Sequence, residues 1–412
     1  MCQNHVSKIY LSTHESTLHQ HLLIKMVLIL FVILLCLFIC YLFTFPRYTE
    51  EDDLTTLKKY QTINQNLLSV MTFNIRHDIH ERDPNNNFTK RVFRLVETVE
   101  KWKPSVLSVQ EPFADQIRLW HCHLPKYYRY VGYQPMDTED GCEDSLSKMD
   151  FRVAILYNTQ ILTLLEQDYI WLSKCPRIVG SKDWNSHGVR TLNIARFKLK
   201  NLENSPRILV FNTHLDVRNE QARQEQAKVI RSTIKQWQEK YPKDLVFLCG
   251  DFNTIPKQTT HQILTSSQFL YDTWTTCQTS PSTCISHSFS SSFHGWLGSI
   301  VNTYGFQFIQ IILYTFRGLG VDLPYETSLR KSVIIDIAKQ IWKVRRNICL
   351  SDMISLWRSH RIHVDWILYQ HAMDGSSHLQ PKFIAVGDIR SRNYSSDHFP
   401  IIALFQITPI LP

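Results

Sequence analysis

The sequence predicts an α/β layered domain with its functional site at the strand ends, preceded by one N-terminal transmembrane helix. Three observations carry that prediction. Apolar, β-rich runs recur along the 412 residues, with helical stretches between them. Four of the runs abut clusters of acids, amides and histidines: Val109-Gln110-Glu111, Asn212-Thr213-His214-Leu215-Asp216, Gly250-Asp251-Phe252-Asn253 and Ser396-Asp397-His398-Phe399-Pro400. Finally, Met26 to Phe45 is a stretch of twenty residues without a charge.

Residues 1–25 form a tail before that stretch. At about 1.5 Å per residue, a helix over 26–45 matches a hydrocarbon core of about 30 Å. A cleaved signal peptide is the alternative, but the run ends in Thr44-Phe45-Pro46-Arg47, with no small-residue cleavage site. Lys8 and Lys25 precede the run; Arg47 and the acidic Glu50-Glu51-Asp52-Asp53 follow it. The positive excess on the N-terminal side favours a single-pass membrane protein with a cytosolic N-terminus and a lumenal or extracellular domain. Residues 46–66 read as a polar, charged linker.

The domain spans 67–412. Leu67–Ile75 is its first core strand. In Arg91–Trp102, Val92, Leu95, Val96 and Val99 share one helical face, and Lys103-Pro104 stops the helix. Further strands are expected at 106–109, 153–157, 208–213, 246–248, 364–368 and 401–405, with a helix over about 221–240. Gly295–Phe316 carries no charge, but its Gly, Asn and Gln make it a poorer spanning helix than the first run. In Ser328–Asn347, Val333, Ile334, Ile337, Ile341 and Val344 can line one helical face beside six Lys and Arg residues. Such an element is either a membrane-surface helix or a cap helix with a solvated basic face.

A net charge of +8 fits a phosphate-bearing substrate or an anionic membrane, and also an ordinary soluble surface. Of the ten cysteines, Cys277 and Cys284 bracket a loop-like stretch and can pair; no C-x-x-C spacing suggests zinc. Asn87-Phe88-Thr89 and Asn393-Tyr394-Ser395 are glycosylation sequons, meaningful only in a lumenal domain.

Phosphodiester hydrolysis needs a cation to neutralise phosphoryl oxygens, a group to orient or deprotonate water, and stabilisation of the leaving oxygen. Oxygen ligands suit Mg²⁺ or Mn²⁺. Glu111 and Asp397 can supply carboxylates. Asp251 and Asn253, just after a strand-like run, can aim two side chains at one water. Asp365, inside the strand-like His363-Val364-Asp365-Trp366-Ile367, can orient a histidine, and His214 and His398 are candidate proton donors or charge stabilisers. Singly, each string reads as a turn, a cap or a surface pair. Four of them beside apolar runs in one chain read as a site.

The order Met71-Thr72-Phe73-Asn74-Ile75-Arg76, Gln110-Glu111, Asn212 to Asp216, Gly250 to Asn253, Val364 to Ile367 and Ser396 to Pro400 resembles the endonuclease/exonuclease/phosphatase superfamily, over about 67–408. The resemblance implies a four-layer, deoxyribonuclease-like α/β sandwich and a Mg²⁺-dependent phosphoesterase. It implies Glu111 as the principal metal ligand, Asn74 beside the metal or phosphate, and Asp397 as a further metal-side carboxylate. Asp251 would activate water and Asn253 orient it. Asp365 would hold His398 against phosphate, and His214 would stand near the leaving group. A closer resemblance, to a less characterised single-domain branch, rests on Arg76-His77-Asp78, Lys90-Arg91, Trp171-Leu172-Ser173, Gly180-Ser181-Lys182-Asp183-Trp184, Arg190, Arg223, Gln226 and Phe293-His294-Gly295-Trp296. It implies Arg76 and Arg190 as substrate-binding residues.

Three departures stand out. Relatives place a glutamate shortly before the 153–157 strand; here the nearby acids are Glu143, Asp144 and Asp150, with none assignable. Ile194-Ala195-Arg196-Phe197 replaces a run that often starts with Trp. An insertion over about 297–362 separates Trp296 from Asp365, where relatives have a short link, and it is placed to cap or gate the site.

The expected activity is that of a membrane-anchored, metal-dependent phosphodiesterase, nuclease-like in its chemistry. The alternative is a lipid or inositol-phosphate phosphoesterase, sphingomyelinase-like, working at the membrane surface with help from 295–347. A silent binding module is disfavoured because every core site residue is present. No separate nucleic-acid-binding module occurs, and no protein partner is expected.

Overall fold

A computed structural model describes residues 30–31, 33–35, 50–63, 67–81, 83–132, 153–200, 206–286, 291–296, 363–388 and 393–409. The chain divides into two compact units, Met1–Pro46 with Asn302–Trp357, and Arg47–Val301 with Arg358–Pro412. In the first, Leu30, Phe31, Ile33, Leu34 and Leu35 are helical and exposed. The rest of the expected span 26–45 lies outside the described residues, as do Glu143, Asp144, Asp150 and the insertion 297–362 with its basic stretch 328–347. Among the described residues, no helix is long and apolar enough to cross a membrane.

The second unit contains two mixed sheets. One has seven strands, in the order β10 (Ile285–Ser286), β12 (Ser377–Val386), β13 (Ile401–Pro409), β1 (Leu67–Asn74), β2 (Val106–Gln110), β4 (Val153–Asn158) and β3 (Tyr128–Gly132). The other has six: β5 (Leu162–Trp171), β6 (Thr191–Leu199), β7 (Ile208–His214), β8 (Leu245–Asp251), β11 (Asp365–Gln370) and β9 (Tyr271–Asp272). β1 runs parallel to β2, and β7 to β8; most other pairs are antiparallel.

Strand alternation builds the layers. Met71, Phe73, Leu107 and Val109 cluster with Val92, Leu95 and Val99 of the helix Phe88–Trp102, and with Trp120 of the helix Ala114–His123. On the other sheet, Leu209, Phe211, Val246 and Leu248 cluster with Ile230, Ile234 and Trp237 of the helix Glu220–Lys240. The alternate residues of both sheets face each other. Phe247 and Phe405 meet there edge to face, with ring centroids 4.9 Å apart. Asn212 clasps the two sheets: its Nδ2 donates to Val109 O (2.9 Å) and Ala154 O (2.8 Å), and its Oδ1 accepts from Gln110 Nε2 (2.7 Å). The result is a helix–sheet–sheet–helix sandwich, the layering expected from the sequence.

The expected strands are present, as are the helices expected over 91–102 and about 221–240. The stretch read as a linker holds a helix, Glu50–Ile63, and its Leu57 is buried in the first core cluster. Six strands lie outside those expected: β3, β5, β6, β9, β10 and β12. β5 carries Glu166 and Asp168 on a half-exposed edge strand, and β12 bulges between Pro381 and Phe383, so neither shows a clean apolar run. Cys277 and Cys284 are disulfide-bonded.

Register brings the polar strand ends together. Asn74 pairs with Gln110, His214 with Asp251, and Asp251 with Asp365. Both sheets thus deliver their polar residues to one edge.

Candidate active site

Asn74, at the end of β1, joins the two sheets. Its Nδ2 donates to Glu111 Oε1 and to Asp251 Oδ2, each at 3.0 Å, and its Oδ1 accepts from the Arg76 N–H at 3.0 Å. A fully buried amide needs such partners, and here they are carboxylates from opposite sheets.

Glu111 follows β2 directly, with φ at +67°. Its Oε2 accepts from the His77 backbone N–H at 3.2 Å and lies 2.5 Å from His77 Nδ1. Burial is the largest influence on this carboxyl and works to raise its pKa. His77, with His214 and Arg76, outweighs it and holds the group well below the usual range.

Asp251 ends β8. Burial, with the neighbouring Asp365 charge, pushes its carboxyl up to about 7. Its Oδ1 accepts from the Asn253 N–H at 2.9 Å. Asn253 Nδ2 in turn donates to Leu215 O at 3.0 Å and stands 2.9 Å from His214 Nε2. Burial, reinforced by Arg190, holds His214 well below the usual histidine range, so it is neutral and its Nε2 accepts from Asn253.

Asp365 Oδ2 lies 2.9 Å from His398 Nδ1. Backbone N–H groups of Val364 and Asp365 donate to Ser292 Oγ at 2.9 and 3.0 Å, which fixes the start of β11. Burial works to lower the His398 pKa, but the charge and hydrogen bond of Asp365 overcome it and raise it to about 10. The resulting imidazolium holds Nε2 3.8 Å from Asp251 Oδ2. Beside it, Asp397 Oδ2 faces Arg76 Nη1 at 3.6 Å, and Arg76 also binds Glu81 at 3.0 Å. Burial pulls the Arg76 guanidinium down, yet Asp397, Glu111 and Glu81 together raise it.

The structure therefore connects Asn74, Glu111, His214, Asp251, Asn253, Asp365 and His398 in one network. Arg76 and Asp397 pair at its side. Arg190 is only 2 % exposed and acts on the site as a buried charge, within electrostatic reach of Asp216, Glu111 and Asp251. Three contributors were not assigned from sequence. His77 braces Glu111, and Ser292 seats Asp365. Arg91 ties Ile75 O (2.7 Å), Ser395 O (2.8 Å) and Arg76 O (3.0 Å), holding the loop before Ser396 against β1. His77 and Arg91 lie in Arg76-His77-Asp78 and Lys90-Arg91, their only signal in the sequence; Ser292 has none.

Two groups of donors have ligand atoms within 4.8 Å of one another, Glu111, His214 and Asp251, and Asp251, Asp365 and His398; the protonated His398 leaves the first as the set suited to a metal ion. The residues fit a hard divalent cation. Carboxylate oxygens of Glu111 and Asp251 converge on Asn74, Asp365 Oδ1 is buried without a hydrogen-bond partner, and the Asp365 charge bears on the buried Asp251 carboxyl.

This layering and this site define a class, the α/β-sandwich phosphoesterases. The model of the Endonuclease/Exonuclease/phosphatase family matches residues 71–398, and the chain belongs to that family. No curated protein matches the chain significantly in sequence. Among solved structures, an endonuclease/exonuclease/phosphatase family protein from Bacteroides thetaiotaomicron is 19% identical, with a TM-score of 0.56 over 84% of this chain and 96% of that one. A mannosyl-6-phosphatase from the same organism is also 19% identical, with a TM-score of 0.56 over 83% of this chain and 99% of its own. TDP2 of D. rerio, complexed with a single-strand DNA product, is 14% identical, with a TM-score of 0.51 over 83% and 99%. At these identities the likeness shows the fold.

Proposed function

We propose that the chain is a divalent-metal-dependent phosphodiesterase with nuclease-like chemistry, held at a membrane through residues 26–45. The Asn74-bridged carboxylates Glu111 and Asp251, set beside the Asp365–His398 pair, carry this reading. Glu111, with Asp251 and His214 in reach, would hold Mg²⁺ or Mn²⁺, which when bound supplies Lewis-acid neutralisation of phosphoryl oxygens. Asp251, with its carboxyl raised towards neutrality, is suited to take a proton from water. Asn253 fixes Asp251 through its N–H and His214 through its amide. The His398 imidazolium, locked by Asp365, supplies a fixed positive charge to an equatorial phosphate oxygen. Arg76, at the same edge, adds a second.

The Cys277–Cys284 disulfide supports a lumenal or extracellular domain, because disulfides persist in oxidising compartments. A second substrate reading is a lipid or inositol-phosphate headgroup, favoured by the uncharged run Met26–Phe45 that would tether the domain beside a bilayer. The test offers the full chain with Mg²⁺ single-stranded DNA, RNA, sphingomyelin and a phosphoinositide in parallel, with Asp251→Ala as control. Nucleic-acid cleavage lost on chelation and in the control supports the leading reading. Lipid turnover alone replaces it with the second, and no metal-dependent turnover of any ester refutes both.

A further inference from the structure

The rim of the site carries a surface that hydrolysis does not use. Trp171 of β5 pairs with Thr191 of β6, Leu192 with Thr213 of β7, and His214 with Asp251 of β8. Segments 172–190, 215–219 and 252–258 therefore leave the sheet at the edge that holds His214 and Asp251. On the first segment, Ile178 and Val179 stand side by side, 59% and 56% exposed.

This tip is built rather than loose. The Ile178 N–H donates to Cys175 O at 3.0 Å and the Ser181 N–H to Ile178 O at 3.1 Å. The hydroxyls of Ser173 and Ser181 meet at 2.6 Å, and the Lys174 N–H donates to Asp183 Oδ2 at 2.8 Å. Arg177 forks onto both oxygens of Asp168 at 2.7 and 2.8 Å. So ordered a loop holds two adjacent β-branched side chains in water, where burial elsewhere would be favourable.

Charge accompanies the tip. Lys174, Lys182, Arg218 and Lys257 are exposed on the three segments and, among the described residues, enter no ion pair. Of the acids on the first two segments, Asp216 is buried and accepts from Ser186 Oγ and the His187 N–H, and Asp183 accepts from the Lys174 N–H; the four exposed cations outnumber them. Exposed aliphatic side chains on a loop that also carries exposed cations suit the interface of an anionic bilayer, where apolar groups enter the headgroup layer and cations meet phosphates. A single nucleic-acid strand would engage the cations and stack on aromatic rings, but the exposed pair at the tip is aliphatic, Ile178 and Val179, while Trp184 of the same loop is half-buried.

We propose that the 172–190 loop docks on an anionic lipid bilayer, Ile178 and Val179 entering the headgroup layer while Lys174, Lys182, Arg218 and Lys257 contact lipid phosphates. The rim of the site then faces the membrane. The uncharged run Met26–Phe45 is an independent pointer, in sequence, to a bilayer close by. The docking surface stands apart from the catalytic reading and does not depend on it.

The test reconstitutes the full chain in nanodiscs of phosphatidylcholine, with and without phosphatidylserine, and follows hydrogen–deuterium exchange over 172–190. A cation at an anionic surface is worth roughly fivefold in binding, so exchange in this segment slows about tenfold or more in the anionic discs. Ile178→Asp combined with Val179→Asp removes the slowing and leaves thermal unfolding unchanged, because both side chains are exposed. Lys174→Glu combined with Lys182→Glu gives the same loss through the charged half of the surface. Equal exchange in both discs overturns the proposal. Protection by single-stranded DNA but not by lipid overturns it in favour of a nucleic-acid surface. Protection that rises with protein concentration in neutral discs overturns it in favour of a second copy of the chain.

Discussion

His77 contacts Glu111 twice on one oxygen, with Nδ1 2.5 Å and the backbone N–H 3.2 Å from Oε2. The His77 ring is itself held edge-on to Phe113, with centroids 5.7 Å apart. The double contact leaves Oε1 aimed at Asn74. His77→Ala is expected to weaken metal affinity and metal-dependent turnover by about 10- to 100-fold, as loss of a supporting partner to a metal ligand generally does. A Mg²⁺ titration of turnover, with calorimetry of Mn²⁺ binding beside it, checks this. An unchanged metal midpoint would show that Glu111 needs no brace.

Asp365→Asn preserves the shape of the 2.9 Å contact with His398 but removes the charge that keeps the imidazolium. Turnover is expected to fall by about 100-fold or more, as for the loss of one preorganised charge stabiliser. The effect should be in kcat, with KM changed little. A rise in KM at constant kcat would instead make His398 a ground-state binding residue.

Asn212 satisfies two backbone carbonyls and one amide in a fully buried seam. Asn212→Leu takes its donor away from the Val109 and Ala154 carbonyls, while Gln110 Nε2 keeps Thr72 Oγ1 at 3.1 Å, and each unmet buried group costs about 1–3 kcal/mol. A loss of roughly 3 kcal/mol or more is expected, read as a lower urea midpoint at unchanged slope. A variant as stable as the parent would mean that solvent enters the seam.

These residues also show what the sequence could and could not reveal. The clusters at Glu111, His214, Asp251 and His398 are legible because each is a local string at a strand end. Asn212 belongs to such a string, yet it is a clasp between sheets and not a reacting group. The period-two pattern puts it on the face of His214 two residues on, but says nothing of what lies opposite. The bridge from Asn74 to Asp251 spans 177 residues of sequence, and the brace from His77 to Glu111 spans 34. Contacts of that kind depend on register between strands and leave no local trace. β5 stays hidden for a different reason: adjacent Leu164 and Leu165 and the bulge before Glu166 break the alternation that marks a half-buried strand.

Asp272 gives a stability test remote from the proposed chemistry. It caps the helix Thr273–Thr279 by accepting from the Trp274 N–H at 2.8 Å and the Thr275 N–H at 3.3 Å, and its Oδ2 lies 3.0 Å from His261 Nε2. Burial works to raise this carboxyl, but the hydrogen bond and charge of His261 and the Thr275 N–H outweigh it, so the pKa is lowered. A folded value below the unfolded value of about 3.9 makes ionised Asp272 stabilising above that unfolded value. The contribution is lost as pH falls through the folded value. Asp272→Asn keeps a good cap but removes the charge, so it is expected to cost about 1–2 kcal/mol at neutral pH. Urea unfolding of both proteins from neutral pH downwards should show a constant gap that closes only below about pH 4. A gap that stays open under acid would assign the effect to cap geometry alone. A gap already closing well above the carboxylate range would show that Asp272 is not the titrating group.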